Sequence, residues 1–413
     1  VHHRRPALTG LLTAVVAAAL ACSALTSCSP DAPPPTELLA APLTTPQQPA
    51  AQEAAGRPTR VVDTVAGSLG RGKLAVYGST DGATGAPTKV SGAFFVPSGT
   101  PPAGGWPTIA IGHGTTGLSP DCGPSRDPAT LSQIAPVAML LKDGFAVALI
   151  DYQGLGIAAD GTDASADNPR HPYLEPRSAA YNLADAVRAM RAVYPGRIST
   201  RWAAAGHSQG GQAAWAAAEF APAYASELQL VAASAQAPAV NLRRLGRVSD
   251  GSYTSHEEWL MPMLITGLSV SDPSLNRWDF IRGSARNNLA LLVSCNAADD
   301  ANRQKAMDAI SSGDVIPDSA DAQTALTDVL QSYSLPQRRS SVPLYVTQGT
   351  ADPVVAASST TTAVSQACQL GTVVTYRKLD GRNHDIGDDM AGYEWLATML
   401  HGARPPTSCT TTA

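Results

Sequence analysis

The chain has 413 residues, 44% of them hydrophobic and 15% charged, with a formal net charge of −5. This composition suits a large globular core, and with no basic run or interleaving of basic and aromatic residues it argues against a nucleic-acid partner. No Walker-type glycine loop and no Cys/His cluster of zinc spacing is present, so neither a cofactor nor a metal is expected.

Residues 1–28 read as an export signal. His2, His3, Arg4 and Arg5 form a basic start, and Leu11 to Ala21 is an apolar run too short to span a bilayer stably. Leu25-Thr26-Ser27-Cys28 has the form of a bacterial lipobox, in which Cys28 would be lipidated and anchor the protein to a membrane. Cys22 fits that pattern less well, because Ala19 stands where a large aliphatic residue is usual. The alternative is cleavage without lipidation and free secretion. Either route leads to an oxidising compartment, so Cys122, Cys295, Cys368 and Cys409 are expected to form two disulfides, in any of three pairings. Residues 29–58, rich in Pro, Ala, Thr and Gln, are expected to be a disordered tether.

From about residue 59 to 405 the pattern is that of one folded domain. Val61–Val65, Lys73–Ser79 and Thr88–Val96 read as an antiparallel entry to a sheet. Thr108–Ile111 is a buried strand that runs into Gly112-His113-Gly114-Thr115-Thr116-Gly117. A helix over Leu131–Lys142 and a strand over Phe145–Ile150 follow, then a helix over Ser178–Val193 with Leu183, Val187 and Met190 on one face. Ala203–Ala205 and Leu228–Ala233 are further strands, with an Ala-rich helix between them. Alternation of this kind predicts an α/β fold with a mostly parallel central sheet and helices on both faces. The rhythm stops between about 238 and 339, where a mainly helical cap insertion is expected; Ser255-His256-Glu257-Glu258 looks like a capping box opening one of its helices. Strands resume at Leu344–Thr347 and Val373–Tyr376, and a helix over Asp389–Leu400 ends the domain.

The chemistry concentrates at Gly206-His207-Ser208-Gln209-Gly210, a Gly-x-Ser-x-Gly turn between a strand and a helix. A turn of this kind displays a serine hydroxyl as a nucleophile. That hydroxyl needs a base within hydrogen-bond reach, and the base needs a third group to hold it. Asp352 follows one late strand and His384 the next, which gives the chain order Ser, Asp, His. Asp385, Asp388 and Asp389 are rivals for the acid, but a carboxylate adjacent to the base in sequence rarely reaches its far ring nitrogen. His113 reads as an anchor for its own loop and His401 as a C-terminal cap. The oxyanion needs two donors: the Gln209 backbone N–H at the helix start, and a second from the loop at 112–116, with Thr115 preferred and Thr116 its rival. His207 and Tyr152 are expected to line the substrate site.

The stretches Gly112–Gly117, Asp121-Cys122-Gly-Pro-Ser125, Asp151–Gly156, His171-Pro-Tyr-Leu174 and Gly206–Gly211, together with the cap, resemble the secretory lipase family of α/β-hydrolases, the lipase A type. The resemblance covers about residues 60–405. It implies Ser208, Asp352 and His384 as the triad, and the pairings Cys122–Cys295 and Cys368–Cys409. An acidic residue serves the oxyanion in the yeast enzyme type, where this chain has Thr115-Thr116. The resemblance also implies an activity on acyl esters, acylglycerols included, with an acyl tunnel in the cap that Trp259, Met261, Met263 and Leu264 would line. A monomer is expected. The alternatives are a peptidase or amidase on the same fold, or a non-catalytic surface protein of that fold.

Overall fold

The computed structural model describes residues 46–65, 71–126, 134–159, 170–247, 253–386 and 390–409. The expected export signal, Cys28, Asp388, Asp389 and the first part of the expected tether lie outside these residues.

Among the described residues nine strands form one sheet: β1 Pro58–Val65, β2 Arg71–Thr80, β3 Pro87–Phe95, β4 Trp106–Gly112, β5 Ala146–Ile150, β6 Ile198–His207, β7 Gln229–Gln236, β8 Leu344–Gly349 and β9 Val374–Leu379. Their order across the sheet is β1-β2-β3-β5-β4-β6-β7-β8-β9. β1, β2, β3 and β5 pair antiparallel, and every pairing from β5 through β4 to β9 is parallel. Helices α1 Pro49–Ala54, α2 Ile134–Lys142, α3 Pro176–Val193 and α4 Gln209–Tyr224 precede a helical insertion, and α11 Ala357–Gln369 and α12 Ala391–Leu400 follow it. The parallel strands are buried on both faces, and their side chains sort by parity. Ala110, Ala148 and Ala204 pack under α3 and α4. Ile109, Ile111, Val147 and Leu149 face α2 and α12 on the other side.

The expected tether differs from the structure over its last part. Pro49–Ala54 is helical, with Ala51 fully buried, and strand β1 begins at Pro58. The reason is tertiary: Gly78 has no side chain to hold α1 off, and an added Cβ there would come 2.2 Å from the Ala54 carbonyl oxygen. The Gly56 N–H donates to the Gly78 carbonyl, and the Gly78 N–H to that of Arg57.

Between β7 and β8 every described regular element is helical: α5 Arg243–Arg247, α6 Ser255–Ser271, α7 Gly283–Asn287, α8 Leu289–Leu292, α9 Asp300–Asp308, α10 Ala320–Tyr333 and short 3-10 turns. They share a core of their own, with Leu264, Leu268, Phe280, Ile281, Leu326 and Leu330 buried at its centre. The capping box of α6 is one residue earlier than expected. Thr254 is the cap, its hydroxyl accepting from the Glu257 N–H while the Glu257 carboxylate accepts from the Thr254 N–H. Both frames satisfy the sequence pattern, but Glu257 also pairs with Arg244 of α5, which holds it over the helix start. Glu258 turns away and accepts from the Ser312 hydroxyl.

The insertion is tied to the body of the domain. Leu118 N–H donates to the Val293 carbonyl, and Cys122 and Cys295 form a disulfide between residues 173 apart in sequence. A crosslink over so long a loop restricts the unfolded chain strongly, by about 5 kcal/mol in the chain-entropy account. The second disulfide, Cys368–Cys409, fastens the C-terminal segment to α11. Ser408 N–H donates to the Val374 carbonyl there, so the chain end covers the β9 edge.

Candidate active site

The turn between β6 and α4 is built on the absence of side chains. A Cβ on Gly206 would sit 2.3 Å from the Gly210 backbone, and one on Gly210 only 2.0 Å from the Gly112 carbonyl oxygen. Between them Ser208 takes φ 57° and ψ −116°, a conformation that costs a non-glycine residue about 1–3 kcal/mol. Three hydrogen bonds hold it: Ser208 N–H to Gln236 O at 2.8 Å, and Gln212 N–H at 3.0 Å and Ala239 N–H at 3.3 Å to Ser208 O. The strain lifts the hydroxyl off the sheet into a cavity beneath the helical insertion.

His384 lies in the loop after β9, with Nε2 2.9 Å from Ser208 Oγ and Nδ1 2.8 Å from Asp352 Oδ2. The His384 side chain is 19% exposed and that of Asp352 fully buried. Three further donors fix the carboxylate: the N–H groups of Val354 and Val355 on Oδ1, and Gln348 Nε2 on Oδ2. Burial alone would raise the Asp352 carboxyl. The hydrogen bond and charge of His384, with the two backbone amides, outweigh it and hold the group below its ordinary value. His207 braces the base from the other side. Its Nε2 donates to the His384 carbonyl at 2.8 Å, and the two rings lie 4.8 Å apart. Burial and then the neighbouring His384 lower the His207 imidazole, although backbone and carboxylate partners oppose them.

Around the nucleophile, Gln209 opens α4 with its backbone N–H at the helix start, where the helix dipole favours negative charge. Its side chain turns inward and donates to His171 Nε2 at 2.9 Å, while His171 Nδ1 donates to the Gln153 carbonyl at 2.8 Å. That pairing requires a neutral ring, and burial pushes His171 down to about 3. The Gly112–Gly117 loop is held from below by His113, whose ring nitrogens face the carbonyls of Gly114 and Asp151. The Asp151 carboxylate accepts from the hydroxyls of Ser91 and Ser125 and from the Ser125 N–H, and so fastens the 121–125 stretch beside that loop. Thr115 Oγ1 is 2.6 Å from the Tyr173 hydroxyl, whereas the Thr116 hydroxyl donates to the Cys122 carbonyl.

A family model described as Secretory lipase matches residues 129–403, more than half of the chain. The chain belongs to the secretory lipase family. Membership of that family makes it a hydrolase acting on esters, and the family together with the two disulfides agrees with an extracellular protein. Among solved structures, Candida antarctica lipase A in its closed state is similar with a TM-score of 0.67 at 16% identity, over 92% of this chain and 89% of that one. The rice cell wall degrading esterase LipA from Xanthomonas oryzae is similar with a TM-score of 0.63 at 18% identity, over 84% of this chain and 97% of that one. At such identities the likeness is one of fold, and the fold is that of the α/β-hydrolases. No protein of curated function matches in sequence.

The family's expected cap pocket is present in part. The cavity over Ser208 has a volume of about 590 Å³ and is lined by Trp259, Leu260 and Leu264 of α6, by Val240, Leu242 and Leu245, and opposite them by Val354, Val355 and Ala356. Thr115, Thr116, His207, Ser208 and His384 share it. Three expected lining residues are corrected. Tyr152 is 2% exposed, and its hydroxyl donates to the His113 carbonyl, so it supports the loop from beneath. Met261 and Met263 point into the core of the insertion and do not reach the cavity; Leu260 does. Gln348, Tyr173 and the Asp151 cluster carried no role in the sequence reading, although Asp151 and Tyr173 lie in stretches that mark the family. Among the described residues no group of three or more His, Cys, Asp or Glu is placed to hold a metal ion, and no helix is long and apolar enough to cross a membrane.

Proposed function

We propose that the protein is an exported serine carboxylester hydrolase that cleaves acyl esters, acylglycerols among them, through Ser208, His384 and Asp352. The observation that carries this reading is the unbroken hydrogen-bond chain from Ser208 Oγ through His384 to Asp352 Oδ2, in a cavity that has aliphatic residues of α6 in its wall and Asp121, Arg126, Arg244 and Glu257 among its polar groups. Ser208 Oγ attacks the ester carbonyl while His384 Nε2 takes its proton, and Asp352 holds the imidazolium through Nδ1–H. The oxyanion is met by the Gln209 backbone N–H and the Thr115 hydroxyl; Thr116 is already committed to Cys122. His384 then returns the proton to the departing alcohol, and water releases the acyl group by the same steps. The aliphatic wall of α6 supports the acyl chain's place under the insertion.

A fluorophosphonate is the direct test, because it phosphonylates only an activated serine. One equivalent is expected on the peptide carrying Ser208, with ester hydrolysis lost in proportion. Labelling of another serine, or hydrolysis that survives full labelling, would refute the proposal. The proposed anchoring through Cys28 has its own test. Radiolabelled palmitate fed to producing cells is expected in the wild-type protein and absent from Cys28→Ser. An unlabelled wild-type protein would rule out the lipoprotein.

A further inference from the structure

We propose that Tyr173 is a positioning residue for ester hydrolysis, which donates its phenolic hydrogen to Thr115 and thereby commits the Thr115 hydroxyl hydrogen to the oxyanion. This rests on the reading of Ser208 as nucleophile and Thr115 as second oxyanion donor. A hydroxyl carries one hydrogen and two lone pairs, so in a pair of hydroxyls only one donates to the other. Thr115 Oγ1 and the Tyr173 oxygen are 2.6 Å apart, within the range of a strong O–H···O bond. A phenol is the stronger acid of the two and an alkanol oxygen the better acceptor, which sets the direction from tyrosine to threonine. Thr115 is left with its hydrogen free for a third group. The Tyr173 ring is 2% exposed, and Thr115 is its hydroxyl's hydrogen-bond partner among the described residues. Burial pushes the phenol up to about 12, so it keeps its hydrogen throughout the range in which an ester hydrolase works.

The position of Tyr173 is fixed against the nucleophile. The next residue, Leu174, is in a left-handed conformation at φ 62°, and its carbonyl accepts from Gln212 Nε2 on the helix that Ser208 caps. Cap helix α6 closes from the other side, where a Cβ on Gly267 would meet the Tyr173 Cβ at 2.3 Å. Thr115 follows Gly114, and a Cβ on Gly114 would lie 3.9 Å from the Ser208 Cβ, so this loop runs against the nucleophile. Tyr173 therefore links the helix that carries Ser208 to the loop that carries the second donor. In effect it sets the rotamer of a threonine hydroxyl where other solutions would use a backbone N–H. Cooperative polarisation adds to the effect, because an oxygen that accepts a hydrogen bond donates its own hydrogen more strongly.

A double-mutant cycle on a chromogenic ester tests the link. Tyr173→Phe is expected to lower kcat about tenfold with KM within about twofold, and Thr115→Val about a hundredfold, within the range for loss of one oxyanion donor. The double variant is expected to fall no further than Thr115→Val, since Tyr173 acts only through that hydroxyl. Thr115→Ser, which keeps the hydroxyl, is expected to retain most of the wild-type kcat. Urea midpoints taken in parallel remove any contribution from unfolding. Wild-type kcat in Tyr173→Phe would overturn the proposal, as would a double variant that falls by the product of the two single effects. A silent Thr115→Val beside an impaired Tyr173→Phe would make Tyr173 itself the donor and equally overturn it. Failure of the hydrolase reading is seen separately, as a Ser208 that fluorophosphonate does not label.

Discussion

Replacing Ser208 by alanine is expected to lower kcat toward a chromogenic ester about a millionfold and to leave the urea midpoint within experimental error of the wild type. The size follows from what loss of a triad serine costs where nucleophile and base act as a unit. The neutrality in stability follows from the turn. Alanine keeps a Cβ, so the conformation at φ 57° is no more strained than before, and the backbone bonds to Gln236, Gln212 and Ala239 do not involve the side chain. Only the bond to His384 Nε2 is lost, and that ring, 19% exposed, has access to water. A residual rate about a thousandfold above that in water is expected from the oxyanion donors and substrate binding. If the variant kept more than about one per cent of wild-type kcat, His384 would be activating water directly, and the acyl-enzyme would play no part.

The three residues proposed as a triad, which the structure brings within hydrogen-bond reach of one another, could be picked out in the sequence because the fold constrains chain order. Once Gly206–Gly210 marks the turn after a middle strand, acid and base have to follow later strands, which left few candidates at Asp352 and His384. The alternation of strands and helices was legible for a similar reason: strands buried on both faces read as short apolar runs. Where the reading went astray, the deciding contact lies far away in sequence. Helix α1 has proline at its first position and only good helix formers after it, but six residues are too few to hold a helix alone, and its seat against Gly78 is set far away in sequence. Helix α6 is apolar on nearly every side, so periodicity could not tell that Leu260 faces the cavity while Met261 and Met263 face the insertion's own core. Thr254 and Ser255 each have a glutamate three residues on, and only the pairing of Glu257 with Arg244 separates the two frames. Tyr173 and Thr115 are 58 residues apart, and a hydroxyl pair leaves no pattern in either segment.

For Asp352→Asn the expected loss in kcat is about ten-thousandfold with little change in KM, and the cause is the wrong imidazole tautomer. Four donors converge on the wild-type carboxylate: the N–H groups of Val354 and Val355 on Oδ1, and Gln348 Nε2 and His384 Nδ1 on Oδ2. An asparagine has one acceptor oxygen, and the backbone amides claim it. Its amide nitrogen then faces Gln348 and His384. A flip of Gln348 is opposed by the Val355 carbonyl, which accepts from the same Nε2 and would then face the amide oxygen, and by the Thr360 hydroxyl that donates to that oxygen now. His384 must therefore offer a lone pair at Nδ1, which moves its hydrogen to Nε2, where Ser208 needs a base. The amide of the introduced asparagine, opposed to that of Gln348, adds a stability cost of about 1–3 kcal/mol at neutral pH. Because the Asp352 carboxyl is held below its unfolded value, its contribution is present above about pH 4 and is lost as the pH falls through the folded value. Urea midpoints of wild type and variant should thus differ at pH 7 and converge in acid. If Asp352→Asn kept kcat within tenfold of wild type, another carboxylate would be serving His384, and Asp385 would be the first to replace.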